Sequence, residues 1–222
     1  MSTISPLPYD ERPKPENDGV DHINVCSHGK TQLGQLATNF AHVPFRHPKF
    51  GFFASMEAYW YWVKTGMKHD TLRRLYGATA KTAGIRLPIV MMKEDEFTDL
   101  MCDGLRCKVM QNAKLLTALK KSGADPKAKE RTQSPLPLRH YFVHATPNGT
   151  VVNEPNRNKW LWRCLEEIRS LVIDDMPVKL SDGTVIHTDL IKEVPENPVP
   201  EDMHRYIPRA LEDEDNMRER ED

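Results

Sequence analysis

The sequence predicts a mainly α-helical domain with a small β component, an α+β fold in one compact domain. Between residues 55 and 172, apolar residues recur at the i, i+3, i+4, i+7 spacing of helices that face a core. Only two short runs, Ile23–Cys26 and His140–His144, have the composition of strands. The chain has 222 residues, of which 39% are hydrophobic. That size suits one domain with tails.

Four helices and one further short helical segment are predicted. In chain order they cover Ser55–Thr65, residues 70–83, residues 95–110, Ala113–Lys121 and residues 158–172. Ser55 suits an N-cap, because its hydroxyl can accept from a backbone N–H of the first turn. Gly84 suits the end of the second helix. The third helix turns one stripe toward the core, made of Phe97, Leu100, Met101, Gly104, Leu105, Lys108 and Val109.

Shifts in composition predict the organisation of the chain. Residues 1–21 are rich in proline and charge and are predicted to form a disordered arm. The patterned domain covers residues 22–172, with an exposed loop at residues 124–137. Residues 173–192 are predicted to add a β-hairpin, with its turn at Ser181–Thr184. Residues 193–222 are proline-rich and then acidic, which is typical of a tail.

Composition and charge limit the classes of function. The 31 basic and 32 acidic residues leave a net charge of −1, so nucleic-acid binding would need a local basic patch. No apolar run reaches the roughly 20 residues of a membrane span, and the N-terminus lacks the apolar stretch of a signal peptide. The four cysteines form no CxxC pair and are expected to be reduced thiols of a cytoplasmic protein.

Neither a cofactor nor a metal is expected. His22, Cys26 and His28 lie close together but lack the paired spacings of a zinc site. His140 and His144 alternate onto one face of a predicted strand, where they are expected at the surface or at the rim of a pocket. The sequence contains neither a P-loop nor a Gly-rich dinucleotide motif.

The helix from Ser55 carries the most informative residues. Glu57, Trp60, Tyr61 and Lys64 lie at i, i+3, i+4 and i+7, and so share one face. Aromatic walls exclude water, which raises the pKa of a carboxyl group toward the range useful for proton transfer. Lys64 can neutralise negative charge or act as a nucleophile. The alternative is an ordinary amphipathic helix whose aromatics are core and whose charged residues form a solvated rim.

Two neighbouring features add candidate ligand contacts. The polar loop that contains Gly34 ends in Asn39-Phe40, and a short amide beside an apolar wall can bind a hydroxyl or phosphate or cap a turn. Lys108 is an ionisable residue on the inward stripe of the third helix, with Arg106 beside it. These cations can bind an anionic ligand, or Lys108 can extend to solvent in a structural role.

Three of these segments resemble motifs of the NADAR, or YbiA-like, proteins. The family's loop ending in SNF corresponds to Thr38-Asn39-Phe40, and its SxEHYxxxxK helix corresponds to Ser55 through Lys64. A following helix with an AxxxG end corresponds to Ala80 through Gly84. The seven-residue step from Glu57 to Lys64 matches the family, and the resemblance covers about residues 23–172.

Two later helices extend the resemblance, and two positions depart from it. The family's VMxxALRxKFxQ helix is similar to Leu100 through Gln111, and its closing NxLGxxLMxxR helix is similar to Asn158 through Arg169. The histidine that follows the family's glutamate is Ala58 here. The family's DxxWG segment is absent, and Arg157 stands three residues before Trp160.

The resemblance implies a compact helical fold and cleavage of N-glycosidic bonds. Members act on ADP-ribose attached to a guanine base, or on a ribosylamino-pyrimidine intermediate of riboflavin synthesis. Glu57 corresponds to the catalytic carboxylate and Lys64 to a catalytic or phosphate-side amine. The expected substrate contacts are Gly34, Asn39, Phe40, Trp60, Tyr61, Arg106, Lys108, Asn158 and Trp160.

Three functions stay open at this point. The first is an ADP-ribosyl-guanine hydrolase acting on nucleic acid, with basic stretches such as Arg46–Lys49, Lys120-Lys121 and Lys127–Arg131 beside its cleft. The second is a small-molecule N-glycosidase that cleaves a ribosylamino-pyrimidine phosphate in a closed pocket. The third is a protein that binds ADP-ribose without cleaving it, an alternative that the missing DxxWG segment leaves open.

Overall fold

Helices form most of the regular structure in this computed structural model, which describes residues 13–123, 135–147, 149–155 and 159–188. The α-helices are α1 Gln32–Ala37, α2 Met56–Lys64, α3 Gly77–Gly84, α4 Glu94–Met110, α5 Ala113–Gly123 and α6 Lys159–Ile173. The strands are β1 Ile23–Asn24, β2 Phe45–His47, β3 Gly51–Phe53, β4 Leu138–Arg139, β5 Phe142–Thr146 and β6 Gly149–Asn153. The predicted α+β class is confirmed.

The strands pair two by two, in three small sheets. β1 and β4 are parallel, with Ile23 opposite Leu138. β2 pairs with β3 and β5 pairs with β6, both antiparallel. The prediction of strands near Ile23 and His144 is confirmed, with shifted ends. The strands β2, β3, β4 and β6 were not predicted, because each is short and lacks a repeated alternation of apolar and polar residues.

The core is built around α2. This helix packs against α3 on one side and α4 on another, and α4 packs in turn against α5 and α6. The largest fully buried side chains come from helices α2, α4 and α5, from strands β2 and β3, and from the residues at 72, 75 and 141 that pack beside them. They are Phe45, Phe53, Met56, Tyr59, Leu72, Leu75, Met101, Leu105, Lys108, Leu115, Leu119 and Tyr141. One charged residue, Lys108, is therefore fully inside the apolar core.

The single helix predicted over residues 70–83 is wrong. The chain forms a 3-10 helix at Asp70–Arg74 and then α3 at Gly77–Gly84. Tertiary contacts separate them: the Trp62 indole donates to the Asp70 carboxylate at 3.1 Å, and the Arg73 guanidinium donates to the carbonyl of Phe50. Gly77 then adopts a φ of +54°, which favours glycine. These contacts outweigh the helical pattern of the intervening residues.

The polar loop predicted before Asn39 contains helix α1. The Thr31 hydroxyl accepts from Gly34 N–H at 3.0 Å and caps the helix. Gly34 lies so close to β1 that a Cβ there would be 2.1 Å from the carbonyl oxygen of Asn24. The packing of α1 on β1 therefore requires a glycine at this position. The expected contact between Gly34 and substrate stays a prediction.

Part of the expected disordered arm, residues 13–21, is ordered and attached to the domain. Residues 13–21 are placed, with a 3-10 helix at Pro15–Asn17. Asp18 is buried, and its carboxylate accepts from the backbone N–H of Asn24 at 2.9 Å and of Lys30 at 2.6 Å. A carboxylate that accepts two such bonds attaches this segment to the domain. Residues 1–12 and the predicted tail at 193–222 lie outside the described residues.

The segment after α6 packs into the core. Within the predicted hairpin, Lys179 and Val185 form one antiparallel bridge. Val178, Leu180 and Ile186 are buried in the core that α2 and α4 share. The turn is attached through its first residue, because the backbone N–H and hydroxyl of Ser181 both donate to Asp103 of α4, at 2.8 and 2.5 Å.

The expectation of four reduced thiols is also wrong. Cys102 of α4 and Cys164 of α6 form a disulfide, with their Cα atoms 5.7 Å apart. Cys26 and Cys107 are free and buried. Cys102 and Cys164 face each other across the packed helices α4 and α6. Their separation of 62 residues in the sequence does not reveal that they are close. Among the described parts of the chain, no helix has both the length and the apolar character needed to cross a bilayer.

Candidate active site

Glu57 stands in the first turn of α2, where three hydrogen bonds fix the start of the helix. The Ser55 hydroxyl accepts from Ala58 N–H at 3.1 Å and donates to the carbonyl of Leu75 at 3.1 Å, which confirms Ser55 as the N-cap. The backbone N–H of Glu57 donates to the carbonyl of Asn39 at 2.9 Å. The loop that ends in Asn39-Phe40 is thereby joined directly to the residue that carries the carboxyl group.

Burial sets the chemistry of the Glu57 carboxyl group. The side chain is only 4% exposed. Removal from water raises the pKa of Glu57 to about 8, while the positive charges of Lys81 and Lys64 oppose that rise. Glu57 therefore carries a proton at neutral pH and can donate it to a leaving group. The alternative in which Glu57 belongs to a solvated rim is wrong, because the residue is inside.

Trp60 and Lys64 form the outer part of the same helix face. The Lys64 ammonium lies 4.3 Å from the centroid of the Trp60 ring, a cation–π contact. Both side chains are half-buried. Trp60 also meets Tyr61 edge-to-face, with ring centroids 4.7 Å apart. An aromatic surface and an amine therefore lie next to the buried acid on one helix.

Tyr61 faces inward and packs between helices. It is buried, and it contacts α3 so closely that a Cβ on Gly84 would lie 2.0 Å from its ring. Gly84 is therefore required for the approach of α3 to α2. That approach also brings Lys81 of α3 near Glu57, where its charge counteracts the rise of the Glu57 pKa.

Asn39 supplies an acceptor that is not used within the protein. Its side-chain oxygen is buried and has no hydrogen-bond partner among the described residues. A buried acceptor without a donor costs free energy, so a ligand that brings an N–H or O–H to this atom gains that energy. Phe40 follows and is half-buried. Asn39 thus combines a backbone bond to Glu57 with a buried side-chain oxygen that has no partner among the described residues.

Lys108 does not face a ligand. Its side chain is fully buried, and its ammonium donates to the carbonyls of Ala37 at 3.1 Å and Thr38 at 2.7 Å. Burial lowers the pKa of Lys108 to about 7. The two carbonyls end α1 immediately before Asn39, so Lys108 holds the start of the ligand-facing loop. The expectation that Lys108 contacts substrate is replaced by a role in positioning that loop.

Arg106 and Trp160 also have structural partners. The Arg106 guanidinium pairs with Asp103 of its own helix and with Glu167 of α6, each at 2.9 Å. Trp160 lies in the first turn of α6 and is buried in the core. Asn158 lies outside the described residues, so its expected contact stays a prediction.

The basic stretches expected beside a cleft are only partly described. Lys120 pairs with Asp175 at 3.1 Å, and residues 127–131 lie outside the described ranges. Arg46 and Lys49 are exposed on and after β2. In residues 13–188, leaving aside the three internal gaps, no group of three or more metal-binding side chains is found.

One residue of the site was missed. Lys81 carried no signal in the sequence, because its nearness to Glu57 depends on how α3 packs on α2. Elsewhere, the rings of His42 and Tyr76 stack between the loop after Phe40 and the start of α3, with centroids 4.3 Å apart and planes 15° apart.

The site therefore combines a protonated buried carboxyl group, two lysines, an aromatic face and an unsatisfied amide oxygen. These groups can protonate a leaving base and stabilise negative charge on a phosphate. Comparison of the chain with protein-family models, with curated proteins and with solved structures gave no match.

Proposed function

We propose that this protein is an N-glycosidase that removes ADP-ribose from a modified guanine base in nucleic acid. The observation that carries the proposal is Glu57, an acid with a pKa near 8 on a face that also presents Trp60 and Lys64. The resemblance of residues 23–172 to NADAR proteins supports the same chemistry. It supplies the substrate class, which the described residues alone do not.

In the proposed reaction Glu57 acts first as a general acid. Its proton passes to the base nitrogen as the bond from that nitrogen to the anomeric carbon breaks, and the bonding electrons leave with the base. The ribose becomes oxocarbenium-like and the new Glu57 carboxylate stabilises it. Water then adds to the anomeric carbon and returns a proton to Glu57. The products are the unmodified guanine, which remains in the nucleic-acid strand, and free ADP-ribose.

Asn39 and Trp60 hold the substrate in this scheme. The unpartnered oxygen of Asn39 accepts from a donor on the base or ribose. Trp60 offers its half-buried ring to a flat group. Lys64 extends past that ring toward the solvent side, where its charge can balance a phosphate.

The test compares substrates and variants. The protein is incubated with an oligonucleotide that contains ADP-ribosylated guanine and, separately, with a ribosylamino-pyrimidine phosphate. Cleavage of the second substrate alone would instead favour a small-molecule N-glycosidase, and tight ADP-ribose binding without any cleavage would favour a binding protein. Glu57→Gln should reduce turnover by about 10²–10⁴-fold, because the amide cannot deliver a proton.

A matched control is Glu16→Gln, the same change at an exposed glutamate of the N-terminal segment. This control should leave turnover unchanged. If Glu57→Gln keeps turnover within about tenfold of the wild type, Glu57 is not the general acid.

Lys64 has two possible roles that a pair of variants separates. If Lys64 only neutralises phosphate, Lys64→Arg keeps much of the activity, since the charge is preserved. If its amine attacks the anomeric carbon of a ring-opened ribose to form an imine, Lys64→Arg is as inactive as Lys64→Ala. Borohydride added during turnover would reduce such an imine to a stable adduct on Lys64, detectable by mass spectrometry. No adduct together with an active Lys64→Arg variant would exclude the imine.

A further inference from the structure

The segment between α3 and α4 exposes a row of apolar side chains. Ile89 is 59% exposed, Met91 is 89% exposed, and Ile85 and Val90 are exposed as well. Single exposed apolar residues are common in proteins, but a continuous group marks a surface that binds something. We call residues 85–92 the apolar ridge.

Contacts with the core and with the end of α2 fix the position of the apolar ridge. Leu87 and Met92 pack against the core between the exposed residues. The backbone N–H of Val90 donates to the carbonyl of Lys64 at 2.8 Å. Gly66 lies directly against the Val90 side chain, where a Cβ would be 2.9 Å from Cγ2. The ridge is therefore attached to the end of α2.

That attachment makes the ridge continuous with the candidate active site. Lys64 accepts from Val90 through its carbonyl, and its ammonium lies over Trp60 on the face that also carries Glu57. A ligand long enough to pass Glu57 and Trp60 along α2 next meets the ridge.

The charges around the ridge favour an anionic polymer. Arg86 lies within the ridge, Lys93 follows it, and Lys68 and Lys64 stand at the end of α2 to which the ridge is attached. The first turn of α4, with Glu94, Asp95 and Glu96, limits this positive patch on one side. Apolar side chains between cations suit nucleic acid, because bases pack on apolar surfaces while lysine and arginine meet phosphates.

We infer that the apolar ridge is the surface on which nucleotides adjoining the modified guanine pack when a single-stranded nucleic acid is bound. This inference rests on the proposed function and deepens it, since the ridge would select a polymer over a free nucleotide. The contacts are base against Ile89 and Met91, and phosphate against the surrounding cations.

Binding of an unmodified strand tests the ridge without any reaction. A fluorescent single-stranded DNA of about 12 nucleotides is titrated with the wild type, with the double variant Ile89→Ser/Met91→Ser, and with Met176→Ser. Met176 is a matched control, because it is an exposed methionine beyond α6. The double variant should bind about tenfold or more weakly, and Met176→Ser should bind as the wild type does.

Salt dependence supplies a second readout. Four phosphate contacts predict a loss of affinity of about 50-fold between about 50 and 200 mM salt. Wild-type binding that is equal to that of the double variant, or insensitive to salt, overturns the inference. If the wild type is a dimer in size-exclusion chromatography and the double variant is a monomer of unchanged melting temperature, the ridge is an interface between copies and the inference is also overturned.

Activity then separates the ridge from the reaction centre. The double variant should raise KM about tenfold or more for an ADP-ribosylated oligonucleotide and leave cleavage of ADP-ribosylated guanosine monophosphate unchanged. An equal loss on both substrates would place the ridge residues in the reaction centre and contradict the inference. If the wild type cleaves neither substrate, the proposed function fails, and the binding titration still decides whether the ridge holds nucleic acid.

Discussion

Replacing Glu57 by glutamine should stabilise the protein at high pH while it removes the catalytic proton. The folded protein raises the pKa of Glu57 from its ordinary value of 4.5 to about 8. A carboxyl group with a raised pKa binds its proton more tightly in the folded state than in the unfolded state. Its favourable contribution is complete below pH 4.5 and is lost as the pH rises through about 8.

The size of this effect follows from the two pKa values. At about 1.4 kcal/mol per pKa unit, the wild type loses up to about 5 kcal/mol through ionisation of Glu57. Most of it, about 4 kcal/mol, is lost between about pH 5 and pH 9. Glutamine resembles the protonated acid and has no proton to lose, so the variant avoids this loss.

Urea unfolding of both proteins across that pH range measures the prediction. The difference in unfolding free energy between Glu57→Gln and the wild type should increase with pH, with a slope approaching about 1.4 kcal/mol per pH unit in between. Glu16→Gln serves again as the control and should follow the wild type. A difference that stays constant with pH would show that Glu57 is ionised in the folded protein, and the general-acid role would be withdrawn.

Three further changes test other parts of the structure. Lys108→Met removes the donor from two carbonyls before Asn39, and it should cost about 1–3 kcal/mol in urea unfolding and raise KM, since the ligand-facing loop loosens. Unchanged KM would remove Lys108 from loop positioning. Asp18→Ala should cost about 2 kcal/mol because two backbone donors lose a charged acceptor, and unchanged melting would show that residues 13–21 are not attached. Cys164→Ser opens the bond to Cys102, 62 residues away, and should cost about 4 kcal/mol. Four titratable thiols in the unfolded, unreduced wild type would contradict that bond.

Local signals were sufficient for the long helices. Ser55 predicted the start of α2, because capping needs only residues within one turn. The apolar stripe predicted α4 and even placed Lys108 on its inward side. Helix α1 was missed because six residues with a glycine at the third position give little periodicity. The break after Arg74 depends on Phe50 and Trp62, which lie outside any local window.

In the candidate site, too, some contacts could be predicted from local spacing and others depend on residues far apart in the sequence. Glu57, Trp60 and Lys64 share a face by helical spacing alone, so their proximity could be predicted. The burial that shifts the Glu57 pKa comes from other elements, and so does the charge of Lys81. The carbonyls that bind Lys108 lie about 70 residues earlier in the chain, and no spacing rule reveals such a partner. The sequence placed Lys108 on the inward side of α4 and left a ligand role and a structural role open, and its bonds to the carbonyls of Ala37 and Thr38 favour the structural role.

The parallel pairing of β1 with β4 has a consequence for the order of folding during synthesis. Ile23 pairs with Leu138, so 115 residues must be made before β1 meets its partner. At a ribosome speed of roughly 5–20 residues per second, β1 waits for about 6 to 23 s before its pairing with β4 can form. Helices α2 to α5 form from nearby residues and can assemble in that interval. Closure of this small sheet is therefore a late event.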